Sequence, residues 1–383
     1  MPRWVAAVLV VLAVGMGLAG LSAASSSSPN RDLPSWSPSG RRIAYVVRFG
    51  PQSRQYDRVM LVSPSGSAPQ VLAQFGRSVY VSELMFAGSA RLVVALGAQG
   101  ALCSIDTRTR RVIPLGPPVG GVNNGTCNER EGPLSLGAND TFTVSADGRR
   151  VAYVSDSPYE SQNSVQAFGG DFAIGLVSSS GGPWRTLPEP INASDEWPSF
   201  SPDGSQLVFA RSLLAYRTAS APSLTLQSVK GGQARPLHIQ GAHPVWSPNG
   251  HWIAYQQLAY GPAALLPATL EIVNPVGGSS RAIWTPPTHQ GLAFSWSPDS
   301  TRLAFLTESG QMGIATLSRK VTFFNLNNLT PNRGESINGL PSNPPVWSPD
   351  GKTLLFSVIV NRRNNETRIY AIGSDGQGLH PVD

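Results

Sequence analysis

Apolar residues come in short runs along this chain, and polar turns separate the runs at a regular interval. The clearest runs are Ile43-Ala44-Tyr45, Val151-Ala152-Tyr153, Leu207-Val208-Phe209, Ile253-Ala254-Tyr255, Leu303-Ala304-Phe305 and Leu354-Leu355-Phe356. Each begins seven residues after an aromatic residue or its substitute: Trp36, Val144, Phe200, Trp246, Trp296 and Trp347. Between the two lies a Ser-Pro-Asp-Gly-like turn. Pro presets φ at its second position, Asp bonds to local backbone, and Gly takes the positive-φ exit. A third run follows, as in RVMLVSPSG, SLTLQSVKGG and TLEIVNPVGG, and its Gly-rich end leads to a short fourth run such as RPLHI. No apolar stripe with a 3.6-residue period crosses the region, so strands should dominate.

With Phe86 as a degenerate seventh copy, the aromatic position recurs every 46 to 58 residues. Self-similarity at that period marks a propeller, solenoid or array. Four antiparallel strands repeated radially give a β-propeller, so the expected fold is all-β with seven four-stranded blades, a count of six remaining open. Blade 1 holds its own strands from Leu33 on, and blade 7 ends its fourth strand at His380-Pro381-Val382. Ring closure should then rest on packing between blades, without a strand borrowed from the opposite terminus.

The pattern P-x-W-S-P-D-G-x-x-I-A-F, carried by PSWSPSG (34–40), PSFSPDG (198–204), PVWSPNG (244–250), SWSPDS (295–300) and PVWSPDG (345–351), resembles the TolB-type, WD40-like propeller repeat of exported bacterial proteins. The resemblance covers residues 33–383 and implies a propeller outside the cytoplasm. TolB itself carries an α/β domain before a propeller of usually six blades. A leader passing within about ten residues into a first blade departs from that plan, so TolB's own role does not carry over.

Composition adds the compartment. Residues 1–24 read as a secretory signal: a basic start, an uncharged stretch from Trp4 to Leu21, and small residues at Ser22-Ala23-Ala24. The stretch is also near the minimum for a membrane span, which keeps an uncleaved anchor open. Residues 25–32 are a Ser-rich linker and 33–383 the propeller. In an exported chain the two cysteines, Cys103 and Cys127, are expected to pair as a disulfide that pins the long segment around Cys127. The formal net charge of +6 is spread out, with no Lys/Arg run interleaved with aromatics, which argues against a nucleic-acid partner.

Chemistry is harder to find. The chain has no G-x-S-x-G elbow, H-E-x-x-H pair or phosphate-binding loop. The turn residues Asp147, Asp203, Asp299 and Asp350 are better explained by turn geometry than by catalysis. In a four-stranded meander these turns share one end of the disc with the Gly-rich turns. The irregular segments fall at the other end, where binding loops on a rigid scaffold usually sit. Candidate partner contacts there are Tyr159, Phe168, Tyr216, Tyr260, Arg362 and Arg363.

Four residues before each aromatic position, at the same end, stand Asp32, Ser82, Asp140, Glu196, Ala242, Leu292 and Asn343, with His243 one residue further in. If the first strands are innermost, Asp32, Asp140, Glu196, His243 and Asn343 line the mouth of the central channel. Three acids there would suit a sugar hydroxyl or a Ca²⁺ ion, against the blander reading of solvated strand ends. The expected function is non-catalytic binding of an envelope protein or glycan by a monomeric exported scaffold. The alternative is a carbohydrate-active hydrolase or lyase using the acids at the channel mouth.

Overall fold

The computed structural model describes residues 30–50, 56–76, 79–97, 101–115, 127, 142–156, 172–215, 218–257, 268–287, 292–307, 312–324, 326, 344–361 and 366–382. The leader stretch lies outside them. Among the described residues there is no helix long and apolar enough to cross a membrane.

Seven antiparallel sheets of four strands each follow one another along the chain. Blade 1 is Asn30–Trp36, Ile43–Phe49, Tyr56–Val62 and Gln70–Gln74; blade 2 is Tyr80–Ala87, Arg91–Gly97, Ala101–Asp106 and Val112–Leu115. Blade 3 is Phe142–Val144, Arg150–Asp156, Phe172–Ser178 and Arg185–Thr186. Blade 4 is Ala193–Phe200, Gln206–Ala215, Ser223–Ser228 and Arg235–Gln240, with Thr218–Ala219 pairing the end of its long second strand. Blade 5 is Ala242–Trp246, Ile253–Gln257, Thr269–Val273 and Arg281–Trp284. Blade 6 is Leu292–Trp296, Arg302–Thr307, Met312–Thr316 and Val321–Phe324. Blade 7 is Val346–Trp347, Thr353–Asn361, Glu366–Gly373 and His380–Pro381. The first strand of blade 1 starts at Asn30, so residues 30–32 of the expected linker belong to the propeller.

The seven-residue offset in the sequence is a pairing register. Trp36 faces Ile43, Val144 faces Val151, Phe200 faces Leu207, Trp246 faces Ile253, Trp296 faces Leu303 and Trp347 faces Leu354. Blade 2 is the exception: its turn is one residue shorter, and Phe86 faces Leu92.

Because side chains alternate across a strand, each sheet feeds two cores. Ala304 and Leu306 pack with Leu354 and Phe356 toward blade 7, whereas Leu303 and Phe305 pack with Ala254 and Ile272 toward blade 5. Seven buried clusters result, one for each seam between neighbouring blades. The closing seam joins Ile43, Tyr45 and Val47 of blade 1 to Leu355, Ile369 and Ala371 of blade 7. A hydrogen bond from the Thr367 amide to Asn30 Oδ1 (3.2 Å) crosses the same seam, and among the described residues no strand is shared between the termini.

Space for the large second-strand aromatics comes partly from glycines opposite them. Gly175 faces Tyr153, and Gly313 faces Phe305. A Cβ at either glycine would fall 2.3 Å or 2.6 Å from the aromatic ring, so only glycine fits.

The repeated block also stitches blades together. The serine before the aromatic reaches the next blade: Ser35 Oγ accepts from the Phe86 amide (3.3 Å), Ser199 Oγ accepts from the Trp246 amide (3.0 Å), and Ser295 Oγ donates to the Pro345 carbonyl. The tryptophans reach back. Trp296 Nε1 donates to the Val245 carbonyl (3.0 Å) and Trp347 Nε1 to the Ser295 carbonyl (3.3 Å). A Ser199→Ala variant leaves the Trp246 amide without its acceptor, and the expected loss is about 1 kcal/mol of unfolding free energy. Lys230→Ala, at an exposed turn, should change it by less than about 0.5 kcal/mol. Thermal melts of the two variants check this, and equal effects would mean that the seam bond carries no particular stability.

Candidate functional site

First strands of neighbouring blades lie against one another around the centre of the ring, so their N-terminal ends form the channel mouth. Pairing is irregular there. The register slips between Asp32 and Ser35 in blade 1, between Val81 and Glu83 in blade 2, between Glu196 and Ser199 in blade 4, and between Ala242 and Val245 in blade 5. In the bulges of blades 1, 4 and 5 one bulky residue takes a left-handed conformation: Leu33 (φ 56°), Trp197 (54°) and His243 (50°).

The cause is local. All three are followed by proline (Pro34, Pro198 and Pro244), which has no amide hydrogen to donate to the ladder. Blade 6 has Phe294 at the proline position and pairs without a slip from Leu292 to Trp296. The blade architecture itself therefore does not require the bulge.

The three bulges are used differently. Leu33 turns into the core of the seam between blades 1 and 2. Trp197 stays half-buried and His243 exposed, and their rings stack across the seam between blades 4 and 5, with centroids 4.2 Å apart and planes 36° from parallel. The protein around the imidazole lowers its pKa, which keeps His243 neutral at pH 7.

Beside this ring pair, Glu196 is half-buried and accepts weakly from Ser194 Oγ (3.4 Å). Burial raises its carboxyl above the usual carboxylate range; the Ser194 contact opposes the shift and the neighbouring Asp195 adds to it. Asp195 is fully buried and gripped by Arg211, whose Nε and Nη2 each donate to one carboxylate oxygen at 2.6 Å. Burial pushes the Asp195 carboxyl up as well, with the two Arg211 bonds pulling the other way. Arg211 also lies over the Phe209 ring at 5.1 Å, so this ion pair is part of the blade 4 wall.

Asp32 has a structural use. Its Oδ1 accepts from the Leu33 amide (2.8 Å), and its Oδ2 lies 3.7 Å from Arg48 Nη1. Arg48 donates to the Val81 carbonyl (2.6 Å), and buried Asp57 accepts from the Val81 amide (2.7 Å). Blade 1 thus occupies both backbone groups of Val81 on blade 2. One seam further on, Glu83 Oε2 accepts from the Phe142 amide (3.0 Å), which ties blade 3 to blade 2.

Of the residues expected at the channel mouth, Asp32, Glu196 and His243 are therefore described, and Glu196 and His243 stand at neighbouring blades. Asp140 and Asn343 lie outside the described residues. So do Tyr159, Phe168, Tyr216, Tyr260, Arg362 and Arg363. Among the described residues no three His, Cys, Asp or Glu side chains converge as a metal site. The expected disulfide is present: Cys103, buried in the third strand of blade 2, is bonded to Cys127 with their Cα atoms 6.3 Å apart. Trp197 was legible in principle, since it stands immediately before PSFSPDG as His243 stands immediately before PVWSPNG, one residue past the ring position of Glu196 and Ala242.

At the opposite end the turn aspartates are occupied by their own turns. Ser145, Ser201 and Ser348 donate to Asp147, Asp203 and Asp350 at 2.6 Å each, and Ser297 donates to Asp299 at 2.5 Å. The Ser201 hydroxyl, with the Ser205 amide and hydroxyl, holds Asp203 at about 2. Ser145 and Ser348 lower Asp147 and Asp350 in the same way. At Asp299 partial burial pushes upward, but Ser297 and Thr301 prevail and its pKa is also lowered. Such carboxylates are spent as acceptors and have no proton to give at neutral pH.

No family model matches the sequence, and no curated protein does. Solved structures do share the architecture. The chain is similar to an oligogalacturonate lyase from Vibrio parahaemolyticus, with a TM-score of 0.58, 12% identity, and 90% of each chain covered. It is also similar to a puromycin-hydrolyzing peptidase of Mycobacterium tuberculosis (TM-score 0.61, 13% identity), covering 94% of this chain and 54% of that one. TolB from Acinetobacter baumannii aligns at a TM-score of 0.47 and 14% identity, over 87% of this chain and 77% of TolB. The chain spans about half the length of the peptidase. At these identities the likeness is one of fold.

A folded-state pKa below the unfolded value of about 4 stabilises above that pH, and the stabilisation is lost as pH falls through the folded value. For Asp203 the window runs from about pH 4 to about pH 2. Asn249 already fills the equivalent position in blade 5, accepting from Ser247 Oγ (2.8 Å) and the His251 amide (3.0 Å). Asp203→Asn should therefore keep the turn at pH 7 and melt less steeply downward between pH 4 and 2 than the parent protein. Unchanged steepness, measured by thermal melts across that range, would contradict the assignment.

Proposed function

We propose that this protein is an exported, non-catalytic β-propeller that binds a protein or glycan partner in the cell envelope through the end of the disc opposite the repeated turns. The observation that carries this reading is the difference between the two ends of the same strands. At the turn end, serines, aspartates and tryptophans are consumed by turn and seam bonds. At the other end, blades 4 and 5 hold Trp197 and His243 in a costly backbone conformation with their rings toward solvent. The disulfide supports an oxidising compartment, in keeping with the leader.

A hydrolase or lyase acting on carbohydrate is the second reading, favoured by the shared architecture with the Vibrio oligogalacturonate lyase. Glycoside hydrolysis ordinarily needs two carboxylates across a bound sugar. Asp195 is held by Arg211, which leaves Glu196 without a second free carboxylate from its own strand.

Two assays separate the readings. Purified protein incubated with envelope polysaccharides should release no products; turnover that Glu196→Gln abolishes would establish the enzymatic reading. Retention on isolated envelope material should fall at least about ten-fold when Arg362 and Arg363 are both replaced by Glu, a scale set by interface hot spots. It should stay unchanged when Lys230, at a Gly-rich turn of the opposite end, is replaced by Glu. Equal retention of the parent and both variants would contradict binding through the loop end.

A further inference from the structure

We infer that Trp197, His243 and Glu196 form a subsite for one uncharged pyranose ring, with the sugar's C–H face laid on the aromatic pair and a hydroxyl donated to the carboxylate. This rests on the reading of the channel-mouth end as the binding end, and it names the ligand chemistry.

Backbone cost is the first argument. A non-glycine residue in the left-handed region costs roughly 1–2 kcal/mol, and two adjacent blades bear that cost at the same position. Blade 6 shows that the sheet forms without it. In blade 1 the cost is repaid by burying Leu33. In blades 4 and 5 no such burial follows, because Trp197 remains half-buried and His243 exposed. Bulges that re-aim a side chain in this way cluster beside binding sites.

Charge is the second. The imidazole is neutral, Asp195 is met by the Arg211 fork, and Glu196 brings a single carboxyl beside the rings. What remains is a ring pair with electron-rich faces next to a single polar group. That combination suits a pyranose, which offers weakly positive C–H hydrogens on one face and hydroxyls around its edge. Sites for small ligands are commonly built this way, with a mostly apolar lining and few polar groups.

Isothermal titration of the purified protein at pH 7 tests the subsite. The probes are cellohexaose, maltohexaose, xylohexaose and chitohexaose, with polygalacturonate and hexalysine as charged comparators. At least one neutral oligosaccharide should bind. Trp197→Ala and His243→Ala should each weaken it, Trp197→Ala by about ten-fold or more, in line with the loss of an aromatic anchor. Trp197→Phe and Glu196→Gln should stay within about three-fold, since each keeps the essential surface or acceptor, whereas Glu196→Ala should not. Thermal melts exclude unfolding, and His243→Ala, at an exposed side chain, provides the test if Trp197→Ala destabilises the blade.

Binding of none of the neutral probes overturns the inference, as does binding that survives both Ala variants or that prefers hexalysine or polygalacturonate. Each of these results leaves the loop-end reading to be judged separately, by the Arg362 and Arg363 variants on envelope material.

Discussion

Among the described residues the ring closes without a strand exchanged between its ends, so the seams are held by side chains. Apolar packing supplies most of the stabilisation, but it is non-directional and does not fix one blade's height against the next. Hydrogen bonds from the repeated block do. Ser35, Ser199 and Ser295 engage the following blade, and the indoles of Trp296 and Trp347 engage the preceding one. These bonds sit at the turn end of the first strands and set their vertical register around the channel.

That arrangement divides each first strand into two halves with different freedoms. The turn-end half is committed to its neighbours, and a substitution there disturbs a seam. The mouth half carries no such repeated bond among the described residues, and proline at the first position of PSW, PSF and PVW removes one ladder donor as well. The strand bulges, and what it does with the extra residue differs from blade to blade. Blades 1 and 2 spend their mouth residues on the Asp32–Arg48–Asp57 network around Val81. Blades 4 and 5 leave theirs at the surface, which is why the asymmetry around the ring points to one side of the channel.

Much of the scaffold was legible in the sequence because its causes are local. A Pro-Asp-Gly turn enforces its own geometry, and a seven-residue offset is the pairing distance that geometry produces. Even Val144, with no aromatic, kept its register because the Ser145-Ala146-Asp147-Gly148 turn was intact. The stitching bonds were hidden, since a serine beside an aromatic has no periodic signature and its partner lies some fifty residues away. The mouth was only half visible. Counting four residues back found Glu196 and placed Asp32 in the same ring, but it gave no indication that Arg48 would draw Asp32 into a seam. Trp197 falls one residue outside that count, and its left-handed backbone is what brings it beside His243. Asp195 and Arg211 are sixteen residues apart, and their pairing follows from strand register alone.

The central claim is that the two ends of the same inner strands do different work. Hydrogen–deuterium exchange, read by mass spectrometry with and without a saturating concentration of the best-binding oligosaccharide, tests it most directly. The account predicts slowed exchange in segments 193–199 and 242–245 and unchanged exchange in the turns 201–205 and 247–252. Protection centred on those turns, with the channel mouth unaffected, would contradict it.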